Sequence, residues 1–537
     1  MTLLVTNILW PGIDGDARRE IAQRLGVEVA EIVSIQLLKR SVDGRRRPPV
    51  WLANYCVELS ENSGFLLRDE MHGVRPFTAR DKQRARQLKP EPVRHPWSSP
   101  QRPIVVGAGP AGLFAALRLG EANACPILIE RGGPVEDRHT AVRAFWRHRQ
   151  LDPETNVVFG EGGAGAFSDG KIYTRRRDGD LGWVFQRLVD MGADPEILEE
   201  GWAHLGTDRI QAILPRLRKR LVELGVEVRF HSCVSSLIVE QGSCVGVRLR
   251  DGAEIRGGPV IMATGHSARD TWRLMMEGGA VAEQRPIRIG ARIEHPQHLI
   301  DVARYGQERG DLPPASYRMV SRPPVRMALR GAHTFCMCPG GTVVGATNQP
   351  GRVVVNGMSY SRRRAWWANS AIIIEVNASD YVDASPMAGV QFQDDIERAA
   401  FVAGGSDFRA PAQRVSDFVT GRDTLELPRV SYPQGCTPAD LNALFPDPIR
   451  KGLAGAIRFF VRKIPGFAGS DGVLIAPETR TTAPLRFLRG PDLCSTTLPG
   501  LMPVGEGAGY AGGITSAALD GYRAAQIIID RFSPRKA

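Results

Sequence analysis

The sequence predicts an α/β fold with two additions: a small α+β unit ahead of it and a mixed α+β segment inserted within it. Three observations carry this. From Ile104 onward, short apolar strands alternate with helical segments, the pattern of a parallel sheet covered by helices. A glycine-rich turn lies between the first of those strands and the first helix, at 107–112. Ahead of that strand, Pro90, Pro92, Pro96, Pro100 and Pro103 crowd the fifteen residues 89–103, which reads as a semi-rigid linker.

Composition narrows the class. With 537 residues, 43% hydrophobic and 24% charged, the chain is neither disordered, collagen-like nor a coiled coil. No run approaches the ~18 apolar residues of a membrane-spanning helix, and Met1 to Trp10 does not read as a secretory signal. Eight Cys without paired CxxC motifs argue against a disulfide scaffold or a zinc site, so a reduced, cytoplasmic protein with no membrane partner is expected. The net charge of +11 comes from 61 Arg and 8 Lys. Over this length it is mild and does not indicate nucleic-acid binding. Nothing fixes the oligomeric state.

The elements read as follows. Residues 1–90 give a strand at Leu3–Val5, a helix at Asp16–Leu25 ended by Gly26, and strands at Ile32–Lys39 and Trp51–Leu59, a ferredoxin-like α+β order. Lys39, Arg40, Arg45, Arg46 and Arg47 cluster at the turn between the last two strands, with Asp43 opposing them. A solvated hairpin tip is the plainer account; a docking patch for RNA or an acidic partner is the sharper one. The linker spans 91–103. Residues 104–289 form the first part of the α/β domain, with strands Ile104–Val106, Pro126–Glu130, Val226–His231 and Val260–Ala263, a helix at Asp208–Leu224 and a meander over Val234–Glu254. Residues 290–470 are the insertion, with helices near Asp394–Val402 and Ile449–Val461. Residues 471–537 return to the α/β domain with a strand at Leu501–Val504 and a helix over Thr515–Arg531.

Gly107, Gly109 and Gly112 form GxGxxG after a strand and before a helix, and Glu130 ends the next strand, 23 residues beyond Gly107. That is the full context of a Rossmann-like dinucleotide fold. Gly107 permits the turn, Gly109 admits a pyrophosphate to the backbone, and Gly112 lets helix pack on strand. The helix start at Pro110 and Ala111 supplies amides and partial positive charge to phosphate. Glu130 is expected to accept from a ribose, with Arg131 beside it.

The C-terminal segment separates FAD from NAD. Gly505-Glu506 ends a strand, and Gly512, Gly513 and Ile514 open the last helix. In a flavin fold such an acid meets the ribityl chain and such a helix start faces the flavin ring, where its dipole favours negative charge. Thr264-Gly265, after a meander beginning at Val234, is the third piece. Gly160 to Gly165 also matches GxGxxG, but it leads into Ala166-Phe167-Ser168-Asp169-Gly170-Lys171, which is not an amphipathic helix. It is read as a loop laid against the flavin through Gly163, Gly165 and Ala166. No second dinucleotide unit is found, so any NAD(P)H would be a transient reductant.

Seven segments, FGEGGAGAFSDGK (159–171), ATGHSARD (263–270), RIEHPQ (292–297), FCMCPGGTVV (335–344), NGMSYS (356–361), ETRT (478–481) and GEGAGYAGGITSAALDG (505–521), resemble a family of bacterial FAD-dependent dehydrogenase-like proteins, NAD(P)/FAD-dependent oxidoreductases. The resemblance runs through nearly the whole chain. It implies a glutathione-reductase-like FAD domain with a large insertion. More distantly, the chain looks like flavoproteins that reduce or introduce carbon–carbon double bonds.

Several side chains are candidates for chemistry. Ser168, Asp169 and Lys171 would point at flavin N5 or the substrate, or else hold the loop. Lys171 is one of few lysines, which suggests a compact charge or a proton donor. Glu294-His295 could supply a general base. Ser267 reads as a helix cap beside a solvated Arg269–Asp270 pair. Cys336 and Cys338 would share one strand face as two buried thiols rather than a redox pair. Glu478 and Arg480 could anchor an anionic substrate or form an internal ion pair. The function expected is an FAD-dependent oxidoreductase moving a hydride between flavin N5 and a small organic substrate at a C–C or C–N bond. An NAD(P)H-fed hydroxylase is the alternative, although hydroxylases usually carry Asp-Gly where this chain has Thr264-Gly265. A flavoprotein binding a partner or RNA through residues 39–47 is the third.

Overall fold

The computed structural model describes residues 1–12, 15–44, 46, 48–67, 71–78, 81, 97, 99–172, 180–198, 204–323 and 329–532. Arg45, Arg47, Pro90, Pro92 and Pro96 lie outside the described residues.

Five parallel strands, each three residues long, make the central sheet; four are apolar and buried, and the edge strand Glu227–Arg229 is half-buried. Their spatial order is Leu501–Pro503, Val260–Met262, Ile104–Val106, Ile127–Ile129, Glu227–Arg229. Strands this short and this buried need cover on both faces. Helices Pro110–Glu121, Thr207–Glu223 and Ile514–Phe532 cover one face, packing through Leu113, Leu217, Leu221, Ala518 and Ala525. The antiparallel meander Val234–Glu240, Ser243–Leu249, Glu254–Arg256 covers the other, with Trp272 and Met275 of helix Arg269–Glu277. The chain order reverses about Ile104–Val106, and in such sheets the crevice beyond the strand ends at that point is where ligands bind.

The first and last helices approach closely because glycine faces backbone. A Cβ on Gly521 would come within 1.9 Å of the Ala111 carbonyl oxygen, and one on Gly112 within 1.8 Å of the Gly107 carbonyl oxygen. The 112 position is therefore glycine for packing, as the motif predicts.

A seven-stranded sheet occupies residues 287–478, in the order 320–321, 332–338, 367–376, 287–296, 473–478, 410–414, 436–438. Helices Gln297–Tyr305, Ala388–Ala403 and Asp447–Phe460 pack on it around Ile289, Ile372, Leu453 and Phe460. In strand Ala332–Cys338 the register shifts between Phe335 and Cys338, and Cys336 takes a φ of 43°. This bulge breaks the alternation that would have put Cys336 and Cys338 on one face.

The N-terminal sheet runs 32–43, 50–59, 2–9, 74–76, all antiparallel neighbours, with helix Arg18–Leu25 stopped by Gly26 at φ 69°. Of its basic hairpin, Lys39 and Arg46 are exposed, as a solvated tip would have them, but Arg40 is not. The Arg40 guanidinium lies 4.7 Å from the centre of the Trp10 ring and 5.9 Å from Trp51, and pairs with Glu196. Val42 packs on the core of the large sheet, and Arg46 sits 3.9 Å from Asp43.

Candidate functional site

One large cavity opens at the carboxyl ends of the parallel strands. Three backbone turns, far apart in the chain, meet there. The first carries Gly107, Gly109, Pro110 and Ala111; the second Thr264 and Gly265; the third Glu506, Gly512, Gly513 and Ile514. Gly107, at φ 103°, passes under the second turn so closely that a Cβ would lie 2.5 Å from the Ala263 carbonyl oxygen. Gly109 differs: its φ is −78°, and a Cβ would meet nothing nearer than Gly163 Cα at 3.8 Å. Its space belongs to the cavity. The helices starting at Pro110 and Ile514 both begin at the cavity wall, and the first has no side-chain cap on its leading amides. Bare amides and the helix dipole together suit a phosphate.

Glu130, Arg131, Gly163, Gly165 and Val234 also line the cavity. The Glu130 carboxylate accepts amides of Ala108 at 2.7 Å, Gly132 at 2.9 Å and Gly160 at 2.9 Å. Of its four lone-pair directions three are used, leaving one on Oε2. Arg131 pairs with Glu154 at 2.6 Å and Asp270 at 2.7 Å, and stacks 4.4 Å over the Phe159 ring. Gly112, Ala166 and Gly505 stand behind the wall. Ala166 turns inward, its carbonyl accepting from Thr207 and Gln211. That corrects its expected place against a ligand.

Glu506 has no partner for its carboxylate among the described residues. Burial alone pushes it up to about 8, which favours the protonated form, a donor as well as an acceptor toward the cavity. An orphaned acid beside glycines whose missing side chains face open space, at 512 and 513, fits a bound hydroxylated ligand rather than protein packing.

Lys171, Asp169 and Ser168 also line the cavity, with Cys336, Asn356 and Glu478. Ser168 is spent on the loop: its Oγ donates to the Gly165 carbonyl at 2.8 Å and accepts the Gly170 amide at 3.1 Å. Asp169 is a hub. Lys171 lies 2.9 Å away, His204 3.4 Å and Arg363 3.7 Å, and the Ser359 hydroxyl donates to it. Burial opposes its charge, but the Lys171 ammonium foremost, with the His204 ring and the Arg363 guanidinium, holds it well below the usual carboxylate range. Burial works against the Lys171 charge too, yet Asp169 raises its proton affinity overall. Lys171 also donates to the Met337 carbonyl.

Other candidates move. Glu294 and His295 do not reach the cavity. Glu294 accepts the Ser431 amide at 2.9 Å and its hydroxyl, and His295 Nε2 meets the Phe467 carbonyl at 2.8 Å under the Phe467 ring. Adjacent strand residues point to opposite faces, and here both faces are packed. Ser267 does not cap helix Arg269–Glu277; its Oγ lies 2.8 Å from His266 Nδ1. Arg269 and Asp270 do not pair with each other. Asp270 goes to Arg131, while Arg269 joins Asp394 at 2.8 Å and Glu397 at 2.9 Å in the interior. Arg480 shares Glu397 at 2.6 Å, and Glu478 pairs with Arg292, so both are internal ion pairs at the cavity wall rather than anchors for an anion. Cys336 lines the cavity; Cys338 lies behind it, 3.8 Å from Arg292 Nη1.

Two supports gave no sequence signal. Arg138, fully buried, donates to the carbonyls of Asn156, Val157, Gly160, Glu161 and Gly163, and so shapes the whole 156–163 loop. Asp520 accepts the Gly505 amide at 2.7 Å while pairing with Arg489. Among the described residues no cluster of His, Cys, Asp and Glu could hold a metal ion, and no helix is long and apolar enough to cross a membrane.

A family model described as FAD-dependent protein, C-terminal domain-like, matches residues 286–481, and one for a domain of unknown function matches 13–60. An uncharacterised protein of Clostridium beijerinckii is 38% identical over 520 residues, covering 96% of both chains. Among solved structures, the flavin-dependent brominase Bmp2 is 11% identical, covering 81% of this chain and 80% of its own, with a TM-score of 0.37. A geranylgeranyl bacteriochlorophyll reductase-like protein from Thermoplasma acidophilum is 15% identical over 81% of this chain and 80% of its own, with a TM-score of 0.33.

Proposed function

The chain belongs to the family of FAD-dependent proteins that includes its Clostridium beijerinckii relative, and from that premise we propose that it is an FAD-dependent oxidoreductase acting at a C–C or C–N bond of a small organic molecule. The observation that supports this most is the meeting of the 107–111, 264–265 and 506–514 turns in one cavity with the unpartnered Glu506. On this reading residues 104–289 and 471–537 hold FAD, and 290–470 cover it and shape the substrate pocket. When bound, FAD supplies a two-electron acceptor and donor ring.

The chain's own residues do the rest. The 107–111 turn and the leading amides of helix Pro110–Glu121 hold the pyrophosphate. The free Oε2 direction of Glu130 accepts a ribose hydroxyl. Glu506 binds the ribityl chain, and the start of helix Ile514–Phe532 puts partial positive charge at the ring's end. Lys171 faces the substrate as a fixed ammonium, because Asp169 keeps the proton on its Nζ. That makes it a group that orients and balances charge, and a poor general base at neutral pH.

Anaerobic titration of the purified protein with NADPH and NADH, followed by flavin absorbance, tests the reading. A yellow protein that stays oxidised supports a dehydrogenase reduced by its own substrate or by a protein donor. Bleaching supports a nicotinamide-fed reductase or hydroxylase. A colourless protein that takes up no FAD sinks the proposal.

A further inference from the structure

The loop between strands Val355–Met358 and Trp367–Val376 has two faces. Inward, Ser359 and Arg363 both reach Asp169 in the cavity wall, and Arg363 Nε donates to His204 at 3.3 Å. Its backbone is pinned: the Ser361 amide and hydroxyl each meet Asp208 at 2.7 Å, and the Ala365 amide meets the Gly340 carbonyl at 3.1 Å. Outward, Tyr360 is 56% exposed and Trp366 58% exposed. Arg362 and Arg364 are exposed in the same loop, and neither guanidinium is in an ion pair with a described residue. Arg429, also exposed, stacks 5.3 Å over the neighbouring Trp367.

Uncovered aromatics beside free arginines, on a loop that cannot fold away, are the makings of an interface. Tyr, Trp and Arg are the residues that carry binding energy, and grouped exposed apolar surface marks interaction sites. The local charge of Arg362, Arg364 and Arg429 calls for an acidic partner. What distinguishes this patch from other basic surfaces is its backing, because the same loop forms the outer support of Asp169.

We propose that the 360–366 loop docks a small acidic one-electron carrier protein that delivers electrons to the FAD cavity. The proposal rests on the FAD reading above. Two reduced carriers each lose one electron. With two protons from water, those electrons convert one bound oxidised FAD to its reduced form. A polynucleotide would match the charge and the aromatics but would gain nothing from the adjoining cavity, whereas a carrier needs a short path to it.

The probe is an acidic plant-type [2Fe–2S] ferredoxin. Calorimetric titration of the oxidised probe into the full chain at low salt is expected to show binding that weakens steeply with salt. Arg362→Glu with Arg364→Glu, and separately Trp366→Ala, should weaken it by about tenfold or more. Anaerobic mixing with reduced, desalted ferredoxin should bleach the flavin, more slowly in the variants by a like factor, while bleaching by dithionite is unchanged. Absent binding in the wild type, or equal binding in the variants, overturns the proposal. So does retention of poly(U) that the variants lose while ferredoxin binding stays the same. The flavin-to-protein absorbance ratio of the same samples separates the two ideas. A colourless chain that still binds the probe through Arg362 and Arg364 keeps the docking surface and removes the FAD reading.

Discussion

Arg489 and Asp520 form a two-pronged ion pair, at 2.7 and 2.9 Å, and the Asp520 oxygen that takes one prong also takes the Gly505 amide. A pair buried to this degree ties the turn bearing Glu506 to the last helix. Asp520→Ala would leave the buried Arg489 charge with the Pro503 carbonyl and the Tyr510 ring but no carboxylate, at a cost of about 3 kcal/mol. Chemical denaturation should register that loss. The purified variant should also carry less flavin per chain than wild type. Full flavin content with unchanged stability would show that the pair does not govern the turn.

Gly109→Val is expected to give a folded, colourless protein. The backbone there suits any residue, and the new side chain enters the space assigned to pyrophosphate. Gly107→Val is the contrast, since its Cβ collides with the Ala263 carbonyl in a backbone conformation that favours glycine. The first variant should melt with the FAD-free wild type, and the second well below it. Compared with FAD bound, any variant that loses the ligand also loses the stabilisation that binding brings. Stoichiometric flavin in Gly109→Val would mean the phosphates lie elsewhere.

Arg138→Met should destabilise the chain by several kcal/mol, because each buried carbonyl left without a donor costs about 1–3 kcal/mol. Arg138→Lys should recover little of this, since an ammonium cannot span five carbonyls the way a planar guanidinium does. Thermal melts of both, with flavin content, check it. Recovery by Lys would show that charge, not the fork, is what matters.

Glu294 gives stability a pH slope. Burial pushes its carboxyl from 4.5 up to about 7. Between those values the folded chain keeps a proton that the unfolded chain has released, so stability falls as pH rises through the window. The loss approaches about 3 kcal/mol by neutral to mildly alkaline pH. Glu294→Gln keeps an acceptor for the Ser431 amide and cannot ionise, so its stability should be flatter from about pH 5 to about pH 8. Equal slopes in urea unfolding of the two proteins would remove Glu294 as the cause.

The parts of the site that the sequence discloses are local. Gly107 to Gly112, with Glu130 on the next strand, can be read because turn geometry and helix packing impose residue types at fixed spacing. The Gly505–Ile514 stretch is legible for the same reason. Arg138 is not, since nothing in its own helix hints that five carbonyls from 156–163 will close around it. Ser267 misled because a serine two residues ahead of a helix invites a cap, yet His266 took the hydroxyl. Glu294 and His295 looked like catalytic chemistry in the chain and became packing once Ser431 and Phe467, more than a hundred residues away, arrived beside them. Arg40 looked like a solvated charge until two tryptophans and Glu196 enclosed it.

Helix Ile514–Phe532 lies against helix Pro110–Glu121 with Gly521 touching Ala111, and its start completes the cavity wall. Synthesis therefore runs through some four hundred residues between the two, and the ribosome must deliver both before the pocket exists. During that interval the 107–112 turn is made but has no far wall, and the apolar face of helix Pro110–Glu121 waits uncovered. A ligand that needs both walls has a complete site only once the last helix has docked, so whatever fills the cavity meets a whole chain and not a fragment of one.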